Sequence, residues 1–171
     1  PEPSPEMLAK QVLLGLNRMA TDGYTAVHEA GLDARQMRVL EELETKGKLP
    51  IRVYAMLSLR DEDLIRQWIA KGPDADNDCM LVTRTVKAYY DGALGSRGAR
   101  LLSDYADKPG HRGVSGDEFG FNETLNAEAM KAGFQIAIHA IGDAGNREAL
   151  DILEAVFREH PTTAANRHRI E

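Results

Sequence analysis

Apolar side chains along this chain switch repeatedly between a spacing of three to four residues and an alternation of two. Ser4 and Pro5 supply an N-cap and a first-turn proline, and Leu8, Val12, Leu16 and Met19 then fall on one helical face. GYTAVHEA (23–30) reads as a short strand behind a glycine stop. A helix is predicted from Asp33 to Lys46, with Met37, Leu40 and Leu43 apolar and Gly47 ending it. PIRVYAMLSL (50–59) is a strand, and DEDLIRQWIAKG (61–72) a helix whose acidic start and basic end suit its dipole. A polar turn, PDADND (73–78), leads into a third strand, CMLVTRTVKAYY (79–90). Asp91 to Asp117 shows no clear period. After it come a helix from Glu118 to Ala132, with Phe121, Leu125 and Ala129 aligned, and the strand FQIAIHA (134–140). A strong helix from Asp143 to His160 points Leu150, Leu153, Val156 and Phe157 inward, and NRHRIE begins another strand.

Strands alternating with helices of this length imply right-handed βαβ units and a parallel sheet. An open doubly wound sheet and part of an (α/β)₈ barrel both satisfy that pattern. No dinucleotide-type glycine fingerprint follows the first strand, which weakens the open form. Side-chain parity favours the barrel. In FQIAIHA, Phe134, Ile136 and Ile138 share one face, and Gln135, Ala137 and His139 share the other. In the preceding strand Thr83, Thr85, Lys87, Tyr89 and Asp91 are expected on one face, opposite Val82, Val86 and Ala88. One apolar face for covering helices and one polar face describe a barrel strand with a site at its carboxyl end. A complete barrel needs about 250 residues, so 171 residues make a single α/β segment, a partial TIM barrel with a long active-site loop over 91–117.

Composition narrows the function classes. A net charge of −6 with interspersed signs offers no basic stripe for nucleic acid. No apolar run approaches the roughly 20 residues of a membrane span, and PEPSPEMLAK is not a signal peptide. The single cysteine, Cys79, excludes an internal disulfide framework and fits a reducing, cytoplasmic setting; among apolar neighbours it reads as a small structural residue. The chain starts without a methionine, as expected for a piece of something longer. An incomplete parallel sheet would have two open edges, so self-association is expected.

Two residues carry the candidate chemistry. His139 closes a strand just before a helix, a position suited either to metal binding or to a satisfied polar junction. Lys87 sits in a strand expected to be covered on both faces, where an ammonium is costly unless paired, deprotonated or converted. Four readings stand: a Schiff-base nucleophile, a paired charge, a carbamylated lysine bridging metals, or a stem that reaches solvent at the rim. In DGALGSRGAR (91–100), glycines allow close backbone approach, and Arg97 or Arg100 could hold a carboxylate or carbonyl oxygen. A phosphate cradle is the weaker reading, because no Gly-Lys-Ser/Thr ending follows. Asp143 is the expected N-cap of the next helix. His28, His111, His160 and His168 read as structural or solvated.

GYTAVHEAG, VKAYYDGALGSRGA, HAIGDAGNREALD and RHRIE, in this order and spacing, resemble the YtcJ-like branch of the amidohydrolase superfamily, amidohydrolase family 3, which includes N-substituted formamide deformylases. The resemblance implies a metal-dependent hydrolase on an (α/β)₈ barrel that cleaves amide or related C–N bonds of a small substrate with metal-activated water. It implies that His139 binds a divalent metal, zinc above all, and that Lys87 takes the position of a carbamylated, metal-bridging lysine. Asp91, Gly92, Ser96 and Arg97 then match the loop over the substrate. The family's His-x-His pair, the histidine ligand that follows its RHRIE block and the late-strand aspartate that shuttles a proton have no counterpart in this sequence. The segment is therefore expected to hold about strands two to six of eight, and to be inert alone with little bound zinc. Two rivals remain: a non-catalytic half-barrel binding module, and a lysine Schiff-base lyase.

Overall fold

The computed structural model describes residues 2–74 and 79–171; most of the predicted polar turn, 75–78, lies outside the described residues. Helix α1 (Pro5–Thr21) begins where the Ser4 hydroxyl accepts the Met7 N–H, with proline in its first turn. Strand β1 (Ala26–Leu32) follows, then α2 (Ala34–Thr45), whose Asp33 cap forms a reciprocal box with Gln36. Strand β2 (Arg52–Ser58) leads to α3 (Glu62–Lys71), capped by Asp61, and then comes β3 (Leu81–Tyr89). After a long connection come α4 (Gly116–Phe119), α5 (Glu123–Lys131), β4 (Gln135–His139) and α6 (Asp143–Glu159). A 3₁₀ turn (Pro161–Asn166) and a short β5 (Arg169–Ile170) complete it.

The five strands pair only in parallel and in sequential order, β1-β2-β3-β4-β5. A doubly wound sheet reverses its order at a switch point; this one has none. It is a wall of a parallel α/β barrel. The face toward the helices holds Val53, Ala55 and Leu57 of β2 with Leu59 just beyond it, Val86 and Ala88 of β3, and Ile136 and Ile138 of β4 with Phe134 just before it, all within one apolar core. Burial of such side chains is worth roughly 1.5–3 kcal/mol each.

Several expectations need correction. Thr83 does not share a face with Lys87: Ala55 pairs with Thr83 and Met56 with Thr85, so Arg84 is an extra residue in β3. That bulge turns Thr83 toward Met37 of α2, leaving Thr85, Lys87 and Tyr89 on the inner face. The helix expected over 118–132 is two, because Gly120 turns into the left-handed region and Asn122 caps a new start at the Leu125 N–H. Met19 and Leu150, expected inward, are exposed.

Candidate active site on the inner face

Strand register lays the inner face out as a grid. One row joins Met56, Thr85 and Gln135; the next joins Ser58, Lys87, Ala137 and Arg169. Tyr89 pairs with His139 at the carboxyl edge. Continuing the same register places Arg60 beside Tyr89 on one side and Glu171 beside His139 on the other. The Glu171 N–H donates to the Ile138 carbonyl and the Leu59 N–H to the Lys87 carbonyl, which carry the ladder that far.

Lys87 is buried at 4% exposure. Its Nζ lies 3.4 Å from Glu171 Oε2, close enough for attraction, yet its geometry leaves the ammonium without a hydrogen-bond partner among the described residues. Burial pushes the Lys87 pKa down, and the Glu171 charge opposes this only in part. Glu171 also pairs with Arg169 at 2.7 Å. His139 has its pKa lowered, first by burial and then by the Lys87 charge, so its neutral, ligand-competent form is favoured.

Tyr89 organises this corner. Its ring lies 4.9 Å from Lys87 Nζ and 6.0 Å from the His139 ring. Its hydroxyl donates to the Ala30 carbonyl of β1 at 3.0 Å. Gly31 makes that reach possible: β1 carries an irregularity there, φ is +118°, and a Cβ would stand 2.6 Å from the tyrosine oxygen.

The remaining predicted site residues lie together in the β3–α4 connection, where each has a partner within the chain. Asp91 is fully buried. Its carboxylate accepts the backbone N–H groups of Arg100 (2.8 Å), Ile141 (2.9 Å) and Gly142 (2.9 Å). Gly92 packs on the backbone of Gly98, where a Cβ would sit 3.2 Å from its Cα. Ser96 donates to the Ala93 carbonyl. Arg97, at a positive φ of 58°, makes a forked ion pair with Asp107 at 2.8 Å, and Arg100 pairs with Glu148 at 3.4 Å. Asp143 is not the cap of α6; Gly142 holds that position, and Asp143 accepts the Leu102 N–H at 2.8 Å. Gly142 has to be a glycine, since a Cβ there would lie 1.8 Å from the Arg100 carbonyl oxygen. The two most distinctive sequence blocks therefore staple one βα loop to the next.

His28, read as structural or solvated, faces inward and stacks on Tyr54 at 4.7 Å. It pairs with Tyr54, four residues before Ser58, so it is far from Lys87 along the sheet. His168 is structural: its Nδ1 accepts the Ile136 N–H at 2.9 Å and its Nε2 bonds the Thr163 carbonyl at 2.9 Å. Sequence reasoning did not single out Glu171, Arg169 or Arg60. Alternation in RHRIE carried the signal for the first two.

Sequential parallel strands with a polar carboxyl edge define a segment of a parallel α/β barrel. The chain belongs to the amidohydrolase family, whose sequence model matches residues 1–171. It is 30% identical over 159 residues to the putative amidohydrolase YtcJ of Bacillus subtilis strain 168, covering 88% of this chain and 28% of that protein. It is 45% identical over 73 residues to Protein LONG AFTER FAR-RED 3 of Arabidopsis thaliana, covering 42% of this chain and 12% of that one. Its fold resembles crystal structures of uncharacterized metal-dependent hydrolases from Pyrococcus horikoshii OT3 and Pyrococcus furiosus. Each has a TM-score of 0.78 and 26% identity; the matches cover 98% and 90% of this chain, and 32% of each relative. The chain thus spans about a third or less of these relatives.

Proposed function

We propose that this chain is part of the catalytic barrel of a metal-dependent hydrolase that cleaves amide or related C–N bonds of small substrates with water. The observation that carries the reading is Lys87: a buried amine whose only close partner is Glu171 at 3.4 Å, without a well-oriented hydrogen bond among the described residues, near a histidine whose neutral form is favoured. A buried polar atom left unpaired is costly, and a second ligand or a chemical change would relieve it. Lys87 and His139 fit a metal in part. No three His, Cys, Asp or Glu side chains converge among the described residues, so these two supply a share of a ligand shell.

A divalent metal at this edge, zinc by the chemistry of an imidazole and a carboxylate donor, supplies an activated water and a Lewis acid when bound. Lys87 contributes by its depressed pKa. The free amine adds to CO₂, forming an N–C bond and releasing one proton, and the resulting carbamate replaces a partly compensated buried cation with a carboxylate donor. Glu171 and Arg169 hold the charge balance around it, and Tyr89 fixes the distance between Lys87 and His139. Asp91, Gly92, Ser96 and Arg97 shape the loop beside the substrate, with Asp91 setting its backbone path.

With two donors the segment by itself is inert and binds metal weakly. The test pairs the full-length protein with the isolated segment, both assayed on formamides with zinc and after chelation. Chelator-sensitive hydrolysis by the full-length protein and none by the segment is the expected result. Hydrolysis indifferent to metal removal, or stoichiometric zinc held by the segment alone, contradicts it. The depressed Lys87 pKa also suits a Schiff-base lyase, and borohydride trapping of a carbonyl compound on Lys87 would favour that reading instead. Strands β1 and β5 end the sheet, so the isolated segment should self-associate. A sedimentation mass that stays monomeric at all concentrations argues against this.

A further inference from the structure

The carboxyl edge holds a cation that the reading above does not use. Arg60 leaves the end of β2 and extends over the Tyr89 ring, its guanidinium carbon 4.5 Å from the ring centroid. The Phe119 ring of α4 stands 5.1 Å from the same carbon. Two aromatic side chains, from the end of β3 and from α4, therefore hold one exposed guanidinium in place and leave N–H groups free.

No carboxylate neutralises it among the described residues. Its neighbours are engaged elsewhere: Asp61 accepts the Leu64 and Ala34 N–H groups, and Glu62 accepts from Asn122 and faces Arg66. Four other guanidiniums near this edge are paired, Arg97 with Asp107, Arg100 with Glu148, Arg112 with Asp104 and Arg169 with Glu171. Arg60 differs from them in being positioned without a partner.

The Tyr89 ring that holds Arg60 also lies within 5 Å of Lys87 Nζ. We infer that Arg60 is a substrate anchor: it takes a carboxylate on the far end of a substrate whose scissile amide lies at Lys87 and His139, on the other contacts of the same Tyr89 ring. The amide half of this statement rests on the proposed hydrolase reading; the anionic half rests on Arg60, Tyr89 and Phe119 alone.

Two rigid probes separate the halves, 4-formamidobenzoate and its neutral counterpart 4-formamidobenzamide, titrated calorimetrically into the full-length protein. The expected result is tighter binding of the carboxylate by about tenfold or more, as for a charge-assisted hydrogen bond. R60Q should reduce the two affinities to within about twofold of each other, and R60K, a point charge without the fork, should fall between. Unchanged melting of both variants, expected for an exposed side chain, rules out a folding effect. A wild type that does not discriminate, or an R60Q protein that still does, overturns the anchor. Discrimination that depends on Arg60 without hydrolysis of either probe keeps the anchor and defeats the hydrolase reading.

Discussion

Asp91 and Lys87 are four positions apart, both are buried and both carry charge, yet their surroundings are opposites. Asp91 is saturated, with three backbone N–H groups converging on its two oxygens. Lys87 is poorly served: Glu171 stands 3.4 Å from its Nζ, and no well-oriented hydrogen bond reaches the ammonium among the described residues. A buried charge that is fully hydrogen-bonded stabilises the fold it organises. One that is not stands as a cost the fold tolerates, and such costs gather at functional sites. The contrast separates a residue that braces the loop from the one to which we assign the chemistry.

Removing the saturated charge should have the largest effect. D91A orphans three N–H groups in a dry junction and should destabilise the protein by about 4 kcal/mol or more, measured by urea unfolding. A loss below about 1 kcal/mol would erase the distinction. K87M should do the reverse, leaving stability unchanged or raising it by about 1–2 kcal/mol, because an apolar group replaces a poorly paired buried cation. The sign with pH follows. The folded pKa of Lys87 lies below its ordinary 10.5, so between the two values the unfolded chain binds more protons and stability rises with pH. The advantage of K87M is therefore full below the folded pKa and disappears toward pH 10.5.

A smaller effect should come from His168. Burial lowers its pKa below 6.5, and Nδ1 has to stay unprotonated to accept the Ile136 N–H. The unfolded chain binds the proton more readily, so stability is lost as pH falls from 6.5 through the folded pKa. H168Q should flatten that part of a pH-melting profile, while an unchanged slope assigns the acid sensitivity elsewhere.

Much of this contrast was legible in the chain itself. Period-two alternation placed Lys87 and His139 on one face and the aliphatic residues of β4 on the other, because parity depends only on neighbours in sequence. Thr83 escaped that logic, since the Arg84 bulge that reverses its face arises from pairing with β2. Asp91 escaped it too. Its partners are 9, 50 and 51 residues away, and a string of letters shows an aspartate before glycines without showing which amides will meet it. Asp91 and Arg97, matched to the substrate loop by resemblance, are both held by partners of their own chain. Gly120 did mark the break between α4 and α5, but the helical period running across it concealed the turn.

The measurement closest to the central claim is the amide-hydrolysis rate of the full-length, zinc-supplied protein carrying K87M, taken with its melting temperature. Loss of hydrolysis by about 10³-fold or more, with melting unchanged or raised, is the predicted result. Activity within a few-fold of wild type in a well-folded K87M protein would contradict it, and would make the poorly paired lysine a tolerated defect of the fold.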